Sequence, residues 1–235
     1  SRLCEEVDQS PGEGAKMTRP RRGEPRARIK ILEASRKLFA RRGFSETSMG
    51  DIARVAQVAR ATVYNNFDDK QDILAGIISD YMVGYAQIPQ KLRENARSGQ
   101  TSFELVEEMV CEALTWRVRN ADLRPIVAVA KNLRGSGWEE ADKAADDAML
   151  GWVMAVHAAD EAAGLIREDV DLEFGVRATY AMIEAILSNF DVSSNEEEIR
   201  RVAHQLALLH WYSLCSVPPG EAPRSPLGRK PFSES

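Results

Sequence analysis

The chain has 235 residues, 44% apolar and 29% charged, which excludes a disordered polymer and leaves room for one large helical domain or two small ones. Cys4, Cys111 and Cys215 lie far apart with no CxxC pair, which supports neither a disulfide framework nor a zinc site and suits a reducing cytoplasm. The net charge of -5 argues against nucleic-acid binding only as an average: residues 16 to 70 hold 14 Lys/Arg against 6 Asp/Glu, leaving 17 against 30 elsewhere. A basic head on an acidic body points to a head that faces phosphate. No stretch approaches the roughly 18 consecutive apolar residues a membrane helix requires.

Residues 1–24 are Gly-, Pro- and charge-rich, lack a hydrophobic signal region and read as a disordered extension, with Met17 a candidate start. Residues 25–70 read as a helix-turn-helix DNA-binding domain. Its first helix places Ile31, Leu32, Ala34, Ser35, Leu38 and Phe39 on one face and stops at Gly43. Thr47 or Ser48 caps a second short helix, whose inward face is Ile52, Ala53 and Val55. After a tight turn at Ala56-Gln57-Val58, a third helix turns Val63 and Phe67 inward against Phe39 and Ile52.

That leaves Arg60, Ala61, Thr62, Tyr64, Asn65 and Asn66 on the outer surface of the third helix. An Arg can bond guanine bidentately, an Ala or Thr methyl can meet a thymine methyl, and Asn can pair with adenine. The hydroxyls of Thr47 and Ser48, with Tyr64 and Lys70, suit phosphates, which fix register. Any one of these side chains alone is commonly just solvated. Their order along the chain is what carries weight: basic helix, hydroxyl-capped short helix, turn, aromatic-bearing helix, then lysine.

With Ile31-Leu32, Ala34, Leu38-Phe39, Gly43-Phe44, Thr47-Ser48-Met49, Asp51-Ile52-Ala53, Val58, Thr62-Val63-Tyr64, Phe67 and Lys70, this stretch resembles the TetR-type one-component regulators. The family usually has Gly at the turn position held here by Gln57, and Ser or Thr at the capping position held by Ala59. The resemblance implies a homodimer that binds a pseudo-palindromic operator on double-stranded DNA as a repressor. It further implies release by a small, largely apolar effector, with no cofactor and no catalysis.

Residues 71–216 read as a six-helix effector-binding and dimerisation domain, making the whole chain all-α. The helix after the head starts at Asp68, buries Ile73, Leu74, Ile77, Ile78, Tyr81 and Met82, and is limited by Pro89. Capping boxes at Thr101/Glu104, Ser136/Glu139 and Ser194/Glu197, with caps at Asn120 and Asp171, start the others, and Gly164 ends the one beginning near Trp138. The segment from Leu172 to Phe190 is apolar nearly all round, as a buried helix would be. Ala178, Ala181, Ala185 and Phe190, with Leu206, Leu209 and Trp211 of the last helix, fit the family's dimer interface, with a monomer core as the alternative.

Candidate effector contacts are Met109, Trp116, Trp152, Met154, His157, Tyr180, Met182 and Glu184, each of which also suits a core. Glu184, in an apolar stretch, needs a partner: Arg177, the dimer mate or a polar group of an effector. His157 reads as a hydrogen-bonded core residue, and His204 and His210, six apart, do not form a helical metal pair. No metal site is expected. Residues 217–235 read as a disordered Pro-rich tail. The chain shows no nucleophile elbow, phosphate-cradling glycine loop or Ser/His/Asp arrangement, so an enzyme is disfavoured. A helical adaptor with a non-specific head is the other alternative.

Overall fold

The structure, a computed structural model, describes residues 25–189, 195–222 and 224. Both expected terminal segments lie outside these residues for most of their length, as do Phe190 and Ser194. Among the described residues the regular structure is helical: α1 (Pro25–Arg42), α2 (Met49–Ala56), α3 (Arg60–Asn66), α4 (Lys70–Ala86), α5 (Ile88–Asn95), α6 (Ser102–Arg119), α7 (Arg124–Asn132), α8 (Trp138–Ala162), α9 (Leu172–Asn189) and α10 (Glu196–Leu214). The all-α reading holds.

The head forms as its apolar spacing dictates. Helix α1 buries Ile31, Leu32, Ala34, Ser35, Leu38 and Phe39, and Gly43 at φ +86° ends it. Val63 and Phe67 are fully buried in the same core, each stabilising the head by about 1.5–3 kcal/mol. Val55 departs from expectation: it is exposed, because the inward face of α2 is taken by Met49, Ile52, Ala53 and Ala56.

Helix starts were legible only in part. Thr101 and Glu104 form the expected capping box on α6, and the Asp171 carboxylate accepts the Phe174 amide at the start of α9. Helix α4 is capped by Asp69 rather than Asp68; the Asp69 carboxylate accepts the amides of Gln71 and Asp72. Ser136 does not form the expected box with Glu139 on α8: its hydroxyl donates to the Ala130 carbonyl and accepts the Trp138 amide at 3.3 Å, while Gly137, left-handed at φ +74°, stands at the cap position. Asn120 closes α6 instead of opening a helix, its side-chain amide donating to the Trp116 carbonyl. Asn195 caps α10 through the Glu197 amide.

Pro89 does limit α4, but it also sits in the first turn of the short helix α5, where a missing N–H is harmless. Reading proline only as a stop overlooks that helix. The body then packs α6 against α10 and α4 against α8, with α9 lying between α8 and α10.

Candidate nucleic-acid interface and ligand cavity

The turn of the helix-turn-helix is built around Gln57, which adopts φ 55°, ψ 45° and is the one non-glycine residue with positive φ among those described. Its amide and that of Val58 return to carbonyls of α2. Ser48 caps α2: its hydroxyl donates to the Asp51 carboxylate at 2.6 Å and accepts the Asp51 amide at 3.1 Å. Hydrogen bonds from Ser48 and Arg54 hold the Asp51 carboxyl down at about 2. Ala59 begins α3 without a side-chain cap.

On α3, Arg60, Ala61, Tyr64 and Asn65 are exposed and Thr62 is half-buried. The Arg60 guanidinium lies 5.8 Å from the Tyr64 ring centroid, so the two form one cationic-aromatic patch. Exposed Arg41, Arg42 and Arg54 add positive charge to the head.

Three of the expected DNA contacts are spent inside the protein. Thr47 is 2% exposed and its hydroxyl donates to the Gly43 carbonyl at 2.9 Å, tying the α1–α2 turn. Asn66 is 9% exposed and its side-chain amide donates to the Thr62 carbonyl at 2.8 Å. Lys70 donates to the carbonyls of Phe44 and Ser45 at 2.8 and 3.0 Å and lies over the Phe44 ring. It straps α4 to the α1–α2 connection.

A cavity of about 230 Å³ opens in the body among α4, α6, α7, α8 and α9. Helix α7 lines it with Arg124, Val127, Ala128 and Lys131, spaced as one helical stripe, and α8 with Trp138, Asp142 and Asp146 at four-residue intervals. Tyr81, Tyr85, Arg117 and Glu184 complete its polar wall. Glu184 accepts the Tyr85 hydroxyl at 2.8 Å and is ion-paired with Arg117. Burial opposes the charge on Arg117, but Tyr85 and Glu184 beside it outweigh burial and raise its pKa. The expected partner Arg177 instead pairs with Glu173 one turn away. Burial, with Asp146 nearby, raises the carboxyl of Asp142; burial, with Glu184 and Asp147 nearby, raises that of Asp146 although it accepts the Tyr180 hydroxyl.

Of the expected effector contacts, only Glu184 lines this cavity. Trp116 packs behind it against Tyr81 at 6.0 Å between ring centroids, and Tyr180 reaches it only through Asp146. Met109, Trp152 and His157 are core residues, Met154 is packed against that core, and Met182 is exposed. The residues that do line it were hidden in the sequence because charged side chains at helical spacing ordinarily mark a solvated face. The repeat of Trp138, Asp142 and Asp146 on one face was the available signal.

At the joint between head and body, Arg36 of α1 donates to both oxygens of Asp122 at 2.5 and 2.6 Å and to Asn120 at 3.1 Å. Asn120 also lines the cavity.

The expected dimer surface divides in two. Ala178, Ala181 and Ala185 of α9 are exposed, as is Leu209 of α10 at 51%. Leu206 and Trp211 are buried, at 4% and 1%, because α6 covers that side of α10. Phe174, Met182 and Tyr212 are exposed apolar residues on these two helices that the pattern missed. Helix α9 is therefore covered on one side only, its open side carrying Phe174, Ala178, Ala181, Met182 and Ala185 beside the Glu173–Arg177 pair.

A basic head presenting a helix-turn-helix with an exposed second helix defines the class of helix-turn-helix DNA-binding regulators. Residues 31–77 of that head match the N-terminal profile of the tetR family of bacterial regulatory proteins. The chain is 37% identical over 60 residues to the HTH-type transcriptional regulator AcrR of Shigella flexneri, covering 25% of this chain and 28% of that one. It is 36% identical over 89 residues to the HTH-type transcriptional regulator HbdR of Aromatoleum sp. (strain CIB), covering 37% and 38%. The chain thus spans well under half the length of these curated relatives. The fold matches the fatty acid degradation regulator FadR from Bacillus halodurans with a TM-score of 0.62 at 16% identity, over 79% of this chain and 95% of that one. These relatives are regulators, not enzymes. No described helix is long and apolar enough to cross a membrane.

Proposed function

We propose that this protein is a ligand-responsive transcriptional repressor that binds a pseudo-palindromic operator as a homodimer. The observation that carries the reading is the exposed outer surface of α3, where Arg60, Ala61, Tyr64 and Asn65 project from a helix whose other face is locked into the head core. Arg60, Ala61 and Asn65 meet base edges, with Thr62 at the margin; Tyr64 and the Ser48 hydroxyl meet phosphate. One head spans only a few base pairs, so specificity requires two heads about one helical turn apart, roughly 34 Å.

The exposed apolar faces of α9 and α10 supply the means of pairing: Phe174, Ala178, Met182, Leu209 and Tyr212 belong against a second copy. The cavity is the effector site. Its wall of Arg117, Arg124 and Lys131 against Asp142, Asp146 and Glu184 revises the expectation of a largely apolar effector to one that carries polar or charged groups. Asn120, shared between the cavity and Arg36, gives the effector a route to the head.

Selection of bound duplexes from a random DNA pool at about 0.15 M salt tests the reading. An enriched inverted repeat is expected. Equal binding of selected and scrambled duplexes would overturn it in favour of a non-specific or adaptor head.

A further inference from the structure

We propose that His157, Asp160 and Cys215 form a binding site for one borderline-soft divalent metal ion of the zinc or cobalt(II) type. All three are buried, at 0%, 0% and 3% exposure, and their ligand atoms lie within 4.8 Å of one another. The fold assembles them from two elements. His157 and Asp160 sit one turn apart on α8, and Cys215 is the residue that closes α10. An imidazole nitrogen, a carboxylate oxygen and a thiolate are a donor set that selects zinc or cobalt over magnesium or calcium.

The atoms that do not face the site are already tied. His157 Nε2 is 2.9 Å from His210 Nε2, and His210 Nδ1 is 2.7 Å from the Thr179 hydroxyl. Asp160 Oδ1 accepts the Ser102 hydroxyl at 2.8 Å. Such outer hydrogen bonds orient metal ligands, and here they leave His157 Nδ1 and Asp160 Oδ2, 2.7 Å apart, facing each other. Spreading that pair to roughly 3.3 Å makes it an edge of a zinc tetrahedron.

A buried carboxylate requires a balancing cation, and the hydrogen bonds around Asp160 come from Ser102 and His157. Binding releases the Cys215 proton and the proton shared by His157 and Asp160 to solvent, and the thiolate and imidazole then coordinate. Burial and Asp160 push the free Cys215 thiol up to about 12, so the metal supplies the driving force for its deprotonation. Exposed Ser216, next in the chain, places Cys215 close to solvent. The ion would fasten α8 to the end of α10, beneath the apolar face assigned to dimerisation.

The test is titration of the full-length reduced protein with cobalt(II), read by absorbance. The expected result is one ion per chain with a thiolate-to-cobalt charge-transfer band, displaced by zinc and lost in Cys215→Ser. The band should persist in Cys4→Ser and Cys111→Ser. Absence of the band in the wild-type protein, or its survival in Cys215→Ser, would overturn the proposal and leave His157–Asp160 a hydrogen-bonded structural pair.

Discussion

Gln57 holds the helix-turn-helix turn in a left-handed conformation that costs an L side chain about 1–2 kcal/mol. Gln57→Gly removes that strain and gives back part of it as chain entropy, so a gain of up to about 1 kcal/mol is expected in denaturant unfolding. Two residues on, Ala59 leaves the first turn of α3 without a side-chain acceptor. Ala59→Ser should stabilise the head by about 0.5–1 kcal/mol, and a loss of stability would show that the exposed cap geometry rejects the hydroxyl. Arg60 and Tyr64 separate the two kinds of DNA contact. Arg60→Ala should relax the preference at particular base pairs by about 1–3 kcal/mol, whereas Tyr64→Ala should weaken all duplexes alike. A selection profile unchanged by Arg60→Ala would remove Arg60 from base readout.

At the scale of the element, packing decides which face of an apolar helix is core. Helix α9 carries Val176, Ile183 and Leu187 inward and leaves Phe174 73% exposed. If α9 and α10 carry the proposed dimer interface, Met182→Glu combined with Leu209→Arg should give a monomer in sedimentation where the unsubstituted chain gives a dimer, without unfolding it. Retention of the dimer would move the interface elsewhere. Helix α4 meets α6 closely at Gly84, where a Cβ would lie 2.2 Å from the Trp116 ring. Gly84→Ala should therefore destabilise the body by about 1–3 kcal/mol, although alanine is the better helix former. Thermal unfolding checks this: a neutral effect would mean that the Trp116 ring moves aside freely.

At the scale of the molecule, the pairing of Arg36 with Asp122 joins head to body. The Arg36 hydrogen bond lowers the Asp122 carboxyl from its ordinary 3.8, so the pair contributes at and above that value and is lost as pH falls through the folded one. Both groups are partly solvated, which limits the pair to about 0.5–1 kcal/mol. A double-mutant cycle of Arg36→Ala and Asp122→Asn should show that coupling near neutrality and none in strong acid. Coupling that survived protonation of Asp122 would mean that the joint rests on packing instead. Through Asn120 the same joint touches the cavity.

The sequence by itself determined the head and the helical class. Apolar residues three and four apart can satisfy only a helix with one buried face, and Ile31 to Phe39, Val63 and Phe67 found that core without help from distant residues. It also put Arg60, Ala61, Tyr64 and Asn65 on the exposed side of α3, whereas the polar groups of Thr47, Asn66 and Lys70 were claimed by backbone carbonyls. Tertiary structure decided everything that depends on two helices meeting. It chose Arg117 over Arg177 as the partner of Glu184, turned charged stripes on α7 and α8 into a cavity wall, and buried Trp211 while leaving Leu209 exposed. It also brought Cys215 to His157 and Asp160, three residues that nothing in the sequence had connected. The physical reason is common to all four: periodicity gives a side chain its direction on a helix, but only packing supplies what stands opposite.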